Sequence, residues 1–152
     1  MAEIMYIFPG QGSQYKGIGK DLYSEFQVAK DLYDQANEIL GYDIVKLSFD
    51  DEDDKISLTE FTQPVLLTHQ IVCLAVLNQL TDNHLKPKLM AGHSLGEYAA
   101  LVTSGCISFE DGLKLVSRRG QSVSYTHLRA HETREEGGGG GGGGKKGGGG
   151  GG

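Results

Sequence analysis

Basic charge is scarce in this 152-residue chain: 14 lysines and arginines stand against 20 aspartates and glutamates, a formal net charge of −6. That balance argues against nucleic acid and anionic membranes as partners, and no basic patch interleaved with aromatics appears. Cysteine is nearly absent. Cys73 and Cys106 share no C-x-x-C spacing, so neither a disulfide framework nor a metal site is supported, which fits a reducing cytosol. No uninterrupted apolar run reaches about 18 residues, and the N-terminus lacks the basic-then-apolar pattern of a signal peptide. The expectation is a soluble, cytoplasmic protein with no membrane partner. Phosphate-binding G-x-x-x-x-G-K-[ST] and G-x-G-x-x-G patterns are also missing, so nucleotide binding is unsupported. The acidic run at 50–54 lacks the glycine and closing glutamate of a calcium loop and reads as a solvated loop.

Glycine is plentiful but concentrated. Of 24 glycines, 14 fall in 137–144 and 147–152, interrupted only by Lys145-Lys146. Such a run cannot bury apolar surface and loses the most backbone entropy on ordering. The foldable part therefore ends before 137.

The stretch Gly92-His93-Ser94-Leu95-Gly96-Glu97 holds a G-x-S-x-G pattern. An apolar run, Leu89-Met90-Ala91, precedes it, and a helix-like run starting at Tyr98 follows. This is the strand, sharp turn and helix that a nucleophile elbow needs. Side chains two residues either side of the serine would clash with the facing strand and helix, hence the glycines. The helix N-terminus points unpaired N–H groups at the serine oxygen, where they suit the anion formed on carbonyl attack.

Elsewhere, Ile4-Met5-Tyr6-Ile7-Phe8 reads as a buried strand, followed by a loop, Gly10-Gln11-Gly12-Ser13-Gln14, that lets backbone approach closely. Residues 27–40 form an amphipathic helix on Val28, Leu32, Ala36 and Ile39, stopped by Gly41. A short helix is allowed within 42–49. The longest apolar segment opens at Thr62-Gln63-Pro64, with Thr62 as cap and Pro64 in the first turn, and runs to Leu80 on a face of Leu67, Ile71, Leu74 and Leu77. His69 lies within it as an ordinary, partly buried histidine. The elbow helix stops at Ser104-Gly105. Ser108 to Asp111 forms a capping box for a last helix, which runs through Leu113, Leu115 and Val116 to Arg118-Arg119. Arg119 shares the inward face of Leu115 and Val116, whereas Arg118 is turned about 100° away. An arginine at the end of an apolar stripe calls for an anionic partner. Two strands separated by helices predict a parallel α/β core with hydrolase-like organisation. The loop after Phe8 and the turn at Ser94 then lie at the carboxyl edge, where such sheets bind ligands.

Four segments in order, Phe8 to Gln14, Thr62-Gln63-Pro64, Gly92 to Glu97, and Arg119-Gly120, resemble the malonyl-CoA:acyl carrier protein transacylases of bacterial fatty acid synthesis. The resemblance covers Met1 to about Gln121, the N-terminal part of a family protein usually about twice this length. It implies a mechanism. Ser94 attacks the malonyl thioester of coenzyme A and forms a malonyl ester. The N–H groups of Gln11 and Leu95 hold the oxyanion, and Arg119 pairs with the free carboxylate. Gln63 has a supporting role, and His93 a structural one. The phosphopantetheine thiol of acyl carrier protein then takes the malonyl group. The resemblance implies a monomer and no cofactor or metal.

In the family the base histidine follows an inserted ferredoxin-like subdomain in the C-terminal part. Neither stands in a matching context here, so the expected architecture is truncated and the chain itself is expected to lack transfer activity. The division expected is a partial acyltransferase domain over 1–121 and a tail over 122–152. That tail resembles translated sequencing-adapter sequence followed by a guanine homopolymer's polyglycine, and is expected to be disordered or an artefact of gene assembly. The other functional readings are a serine esterase or thioesterase, a polyketide synthase-type acyltransferase, and a non-catalytic fragment that binds carrier protein.

Overall fold

The computed structural model describes residues 3–136. The polyglycine part of the tail, 137–152, lies outside the described residues. Two strands, β1 (Met5–Phe8) and β2 (Leu89–Gly92), pair in parallel with Phe8 opposite Gly92. Parallel strands need a long crossover. Here it holds α1 (Lys20–Glu25), α2 (Gln27–Leu40), α3 (Ile44–Phe49) and α4 (Thr59–Leu80). After β2 come α5 (Leu95–Thr103) and α6 (Phe109–Glu136). The parallel α/β expectation therefore holds in a reduced form: two strands and six helices among the described residues.

The centre is α4, which packs against α2, α5 and α6. From Thr62 to Thr68 every residue is buried, so the single core face expected of this helix is incomplete. By length and hydropathy α4 could cross a membrane, but most of that stretch is buried inside the protein, which accounts for its composition. Its start also differs from expectation. Leu58 is the N-cap, and Pro64 sits inside the helix rather than in its first turn. The Thr62 hydroxyl donates to the carbonyls of Ile56 and Leu58, and its N–H bonds Leu58, holding the turn ahead of the proline.

The helix expected at 27–40 is present, with Gly41 as its left-handed cap at φ 74°. Its buried face is Ala29, Tyr33 and Ala36; of the expected stripe Ala36 is buried as expected, whereas Val28, Leu32 and Ile39 are only partly buried. Tyr33, Tyr23 and Phe49 stack edge to face, with ring centroids 5.3–5.7 Å apart. β1 is not a buried strand: Ile7 is 72% exposed and Met5 also faces outward. The last helix passes the expected end at Arg118-Arg119 and continues to Glu136, since no glycine or proline follows Gly120 until 137. Ser108 caps it as expected, its Oγ accepting the Asp111 N–H at 3.0 Å.

Candidate active site

β2 ends at Gly92 and α5 begins at Leu95, so His93 and Ser94 turn the chain between them. Ser94 has φ 54° and ψ −108°, a conformation that L-residues avoid. Three backbone bonds fix it. His93 N–H donates to Phe8 O at 3.1 Å, Gly96 N–H to His93 O at 3.0 Å, and Glu97 N–H to Ser94 O at 3.1 Å. The flanking glycines are sterically required. A Cβ on Gly92 would overlap the Gly96 backbone, and one on Gly96 would overlap the Phe8 carbonyl. One at Gly10 would come within 2.6 Å of His93 O, so the loop after β1 lies directly against the turn.

Arg119 reaches this turn from α6. Its Nη2 donates to Ser94 Oγ at 2.9 Å and its Nη1 to Gln63 Oε1 at 3.1 Å. Gln63 is buried on α4, so the guanidinium is clamped between two elements. Close helix packing makes this possible: a Cβ on Gly120 would lie 2.8 Å from the backbone of Thr59 and Glu60. The Arg119 guanidinium also lies 5.6 Å from the ring centre of Tyr98. Among the described residues no aspartate or glutamate pairs with Arg119. Arg118 is exposed and Arg119 half-buried, as their helix positions predict, whereas Leu115 is exposed rather than inward.

The structure thus joins Ser94, Gln63 and Arg119 through direct hydrogen bonds. Leu95 is the first residue of α5, with its N–H in the turn that lacks intrahelical partners and its side chain buried. Gln11 makes no hydrogen bond to Ser94. Its side chain donates to Thr59 Oγ1 at 3.1 Å, tying the loop to the start of α4 one turn before Gln63. His93 is exposed. None of the rings of His69, His84 or His93 bonds Ser94 Oγ; the side chains of His127 and His131 lie outside those described. No group of three metal-ligating side chains occurs among the described residues.

Tyr98 and Gln70 were not singled out by sequence reasoning. Tyr98 lies one turn after Ser94 on α5, a spacing that puts both on one face. Gln70, seven residues after Gln63 on the same helix face, donates from Nε2 to Pro9 O at 2.7 Å and anchors the loop after β1. That seven-residue spacing was the available signal.

Known proteins resemble this chain in sequence and fold. The chain is 46% identical over 121 residues to a polyketide biosynthesis malonyl CoA-acyl carrier protein transacylase of Bacillus subtilis (strain 168), covering 80% of this chain and 40% of that protein. It is 44% identical over 124 residues to a malonyl CoA-acyl carrier protein transacylase of the same organism, covering 82% and 38%. The crystal structure of malonyl CoA-acyl carrier protein transacylase from Clostridium perfringens superposes with a TM-score of 0.74 at 42% identity, over 79% of this chain and 37% of that one. The chain therefore spans 40% or less of the length of these relatives. A family model described as an acyl transferase domain matches residues 5–136, which takes in both strands, the Ser94 turn and Arg119, and on that match the chain belongs to the acyl transferase domain family.

Proposed function

We propose that this chain carries the nucleophile and the carboxylate clamp of a malonyl transfer from coenzyme A to the phosphopantetheine thiol of acyl carrier protein. One observation carries the reading: a half-buried guanidinium with no carboxylate partner among the described residues, bonded to the oxygen of the strained Ser94. A simple esterase has no use for such a cation, whereas malonyl brings a free carboxylate to the same place as its thioester. The Ser94 turn acts as a nucleophile elbow. Ser94 Oγ attacks the thioester carbonyl and the coenzyme A thiol leaves, giving a malonyl ester. The N–H groups of Leu95 and Gln11 take the oxyanion, and Gln63 orients Arg119. A carrier thiol then attacks the ester and releases Ser94.

The Ser94 proton needs an acceptor, and none of the described histidine rings reaches it. Acylation of this chain is therefore slow, and multiple-turnover transfer to carrier protein is absent. The test is stoichiometric labelling: the purified chain is held in excess malonyl-CoA, quenched in acid and mapped by peptide mass. A malonyl ester on Ser94 that is lost in Ser94→Ala supports the reading. Malonyl on other residues only, or none after prolonged incubation, overturns it. One of the two Bacillus subtilis relatives is named for polyketide biosynthesis and the other simply as a malonyl CoA-acyl carrier protein transacylase, so malonyl transfer to carrier protein is the step their names share.

A further inference from the structure

A second nucleophile lies away from Ser94. On α4, the Sγ of Cys73 is 3.3 Å from Nε2 of His69, one helical turn earlier. Both side chains line a cavity of about 350 Å³ between α4 and β1. The remaining walls include Met5, Ile7, Leu74 and Leu77, and no lysine, arginine, aspartate or glutamate contributes. Cys73 is reached from solvent. Burial and then the Asp21 carboxylate raise the thiol pKa, and burial lowers that of His69 against the opposing pull of Asp21; both shifts disfavour a resting thiolate–imidazolium pair, so the pair rests neutral and the thiol proton moves to the imidazole only as the sulfur attacks. Cys106, also exposed, has no histidine partner among the described residues; its sulfur accepts from the Ser104 hydroxyl at 3.2 Å.

We propose that Cys73, with His69 as its proton acceptor, is a second acylation site that takes apolar acyl groups from thioesters, the acyl chain lying in the cavity between β1 and α4. The thiol proton passes to His69 Nε2 as sulfur attacks the thioester carbonyl. The carbon–sulfur bond to the donor breaks, the donor thiolate takes the proton from the imidazolium, and a Cys73 thioester remains. No oxidant or further reactant is required. The uncharged lining rejects malonyl, whose carboxylate finds its partner at Arg119, so the two nucleophiles divide acyl groups by charge.

The experiment incubates the full chain with acetyl-, octanoyl- or malonyl-CoA and locates adducts by peptide mass mapping before and after neutral hydroxylamine. Hydroxylamine cleaves thioesters quickly and leaves serine esters largely in place. The expected result is octanoylation of Cys73 at least about tenfold faster than of Cys106 and than acetylation of Cys73, from burial of the added methylenes. His69→Gln slows Cys73 acylation about a hundredfold, the lower range for loss of a positioned base. Ser94→Ala leaves the Cys73 thioester intact, so failure at Cys73 and failure at Ser94 are separately visible. Equal acylation of Cys73 and Cys106 in the unaltered chain overturns the proposal and needs no variant. Cys73 rates that ignore acyl length, or that respond only to small electrophiles such as iodoacetamide, overturn it as well.

Discussion

On the proposed reading, Arg119 decides what the Ser94 turn can recognise. Its two hydrogen bonds leave a positive charge beside Ser94 Oγ, where the proposed function seats the substrate carboxylate. Hydrogen bonds to charged groups contribute about 1.5–3 kcal/mol. Arg119→Ala is therefore expected to weaken malonyl-CoA binding by roughly 10- to 100-fold while leaving acetyl-CoA unchanged, as read by calorimetry. Arg119→Lys recovers only part of the loss, since an ammonium cannot hold Ser94 and Gln63 in one plane. Gly96 is a residue-scale test of the turn itself. Gly96→Ala forces its methyl into the Phe8 carbonyl, and a loss of more than about 2 kcal/mol is expected in urea unfolding. An unchanged midpoint would show that the loop and turn are not in contact. Ser94, Arg119 and the two glycines were legible because turn sterics and helix periodicity are local. Tyr98 and the Gln11–Thr59 bond were not, because they depend on how α5, α4 and the first loop come together.

Helix α4 carries the packing. Leu66 and Leu67 are fully buried within it, and Leu67→Ala is expected to cost about 2–5 kcal/mol, seen as a lower thermal midpoint. His69 gives the same helix a pH dependence. Burial lowers its folded pKa below the ordinary 6.5, so below that pH the unfolded chain binds a proton that the folded one does not. The folded state is therefore at its full stability above about pH 6.5 and loses stability as pH falls toward the lower folded value. His69→Gln removes this component, which urea titrations at a series of pH values will show as a shallower acid slope. The existence of α2, α4 and α5 followed from apolar spacing and stop glycines. The start of α4 did not, because Thr62 and Pro64 have the composition of a helix start while their long-range neighbours bury them a turn further in. Of the apolar stripe expected on α2 only Ala36 is fully buried, because Tyr33, outside that stripe, fills the aromatic cluster with Tyr23 and Phe49.

At the scale of the whole molecule, the two-stranded sheet leaves apolar surface uncovered. Ile7, which lines the cavity beside α4, is 72% exposed, and Leu89, paired with Met5 on the neighbouring strand, is 65% exposed. Contiguous apolar surface of this kind is expected to bind a hydrophobic dye and to promote association of the chain, measurable by fluorescence and light scattering; a dye-silent monomer would contradict it. The sequence predicted a parallel α/β arrangement but not how few strands it has here, because strand number depends on pairing rather than on any single run. The length of α6 beyond Arg119 escaped notice for a different reason: its composition after Gln121 departs from the motifs that precede it, yet nothing in it breaks a helix.

The central claim is that Ser94 and Arg119 form one malonyl-recognising site. Calorimetric titration of the chain with malonyl-CoA and acetyl-CoA tests it most directly, because binding needs no base and no turnover. The prediction is tighter binding of malonyl-CoA by at least about tenfold, abolished in Arg119→Ala. Equal affinity for the two thioesters, or a malonyl preference that survives Arg119→Ala, would contradict it.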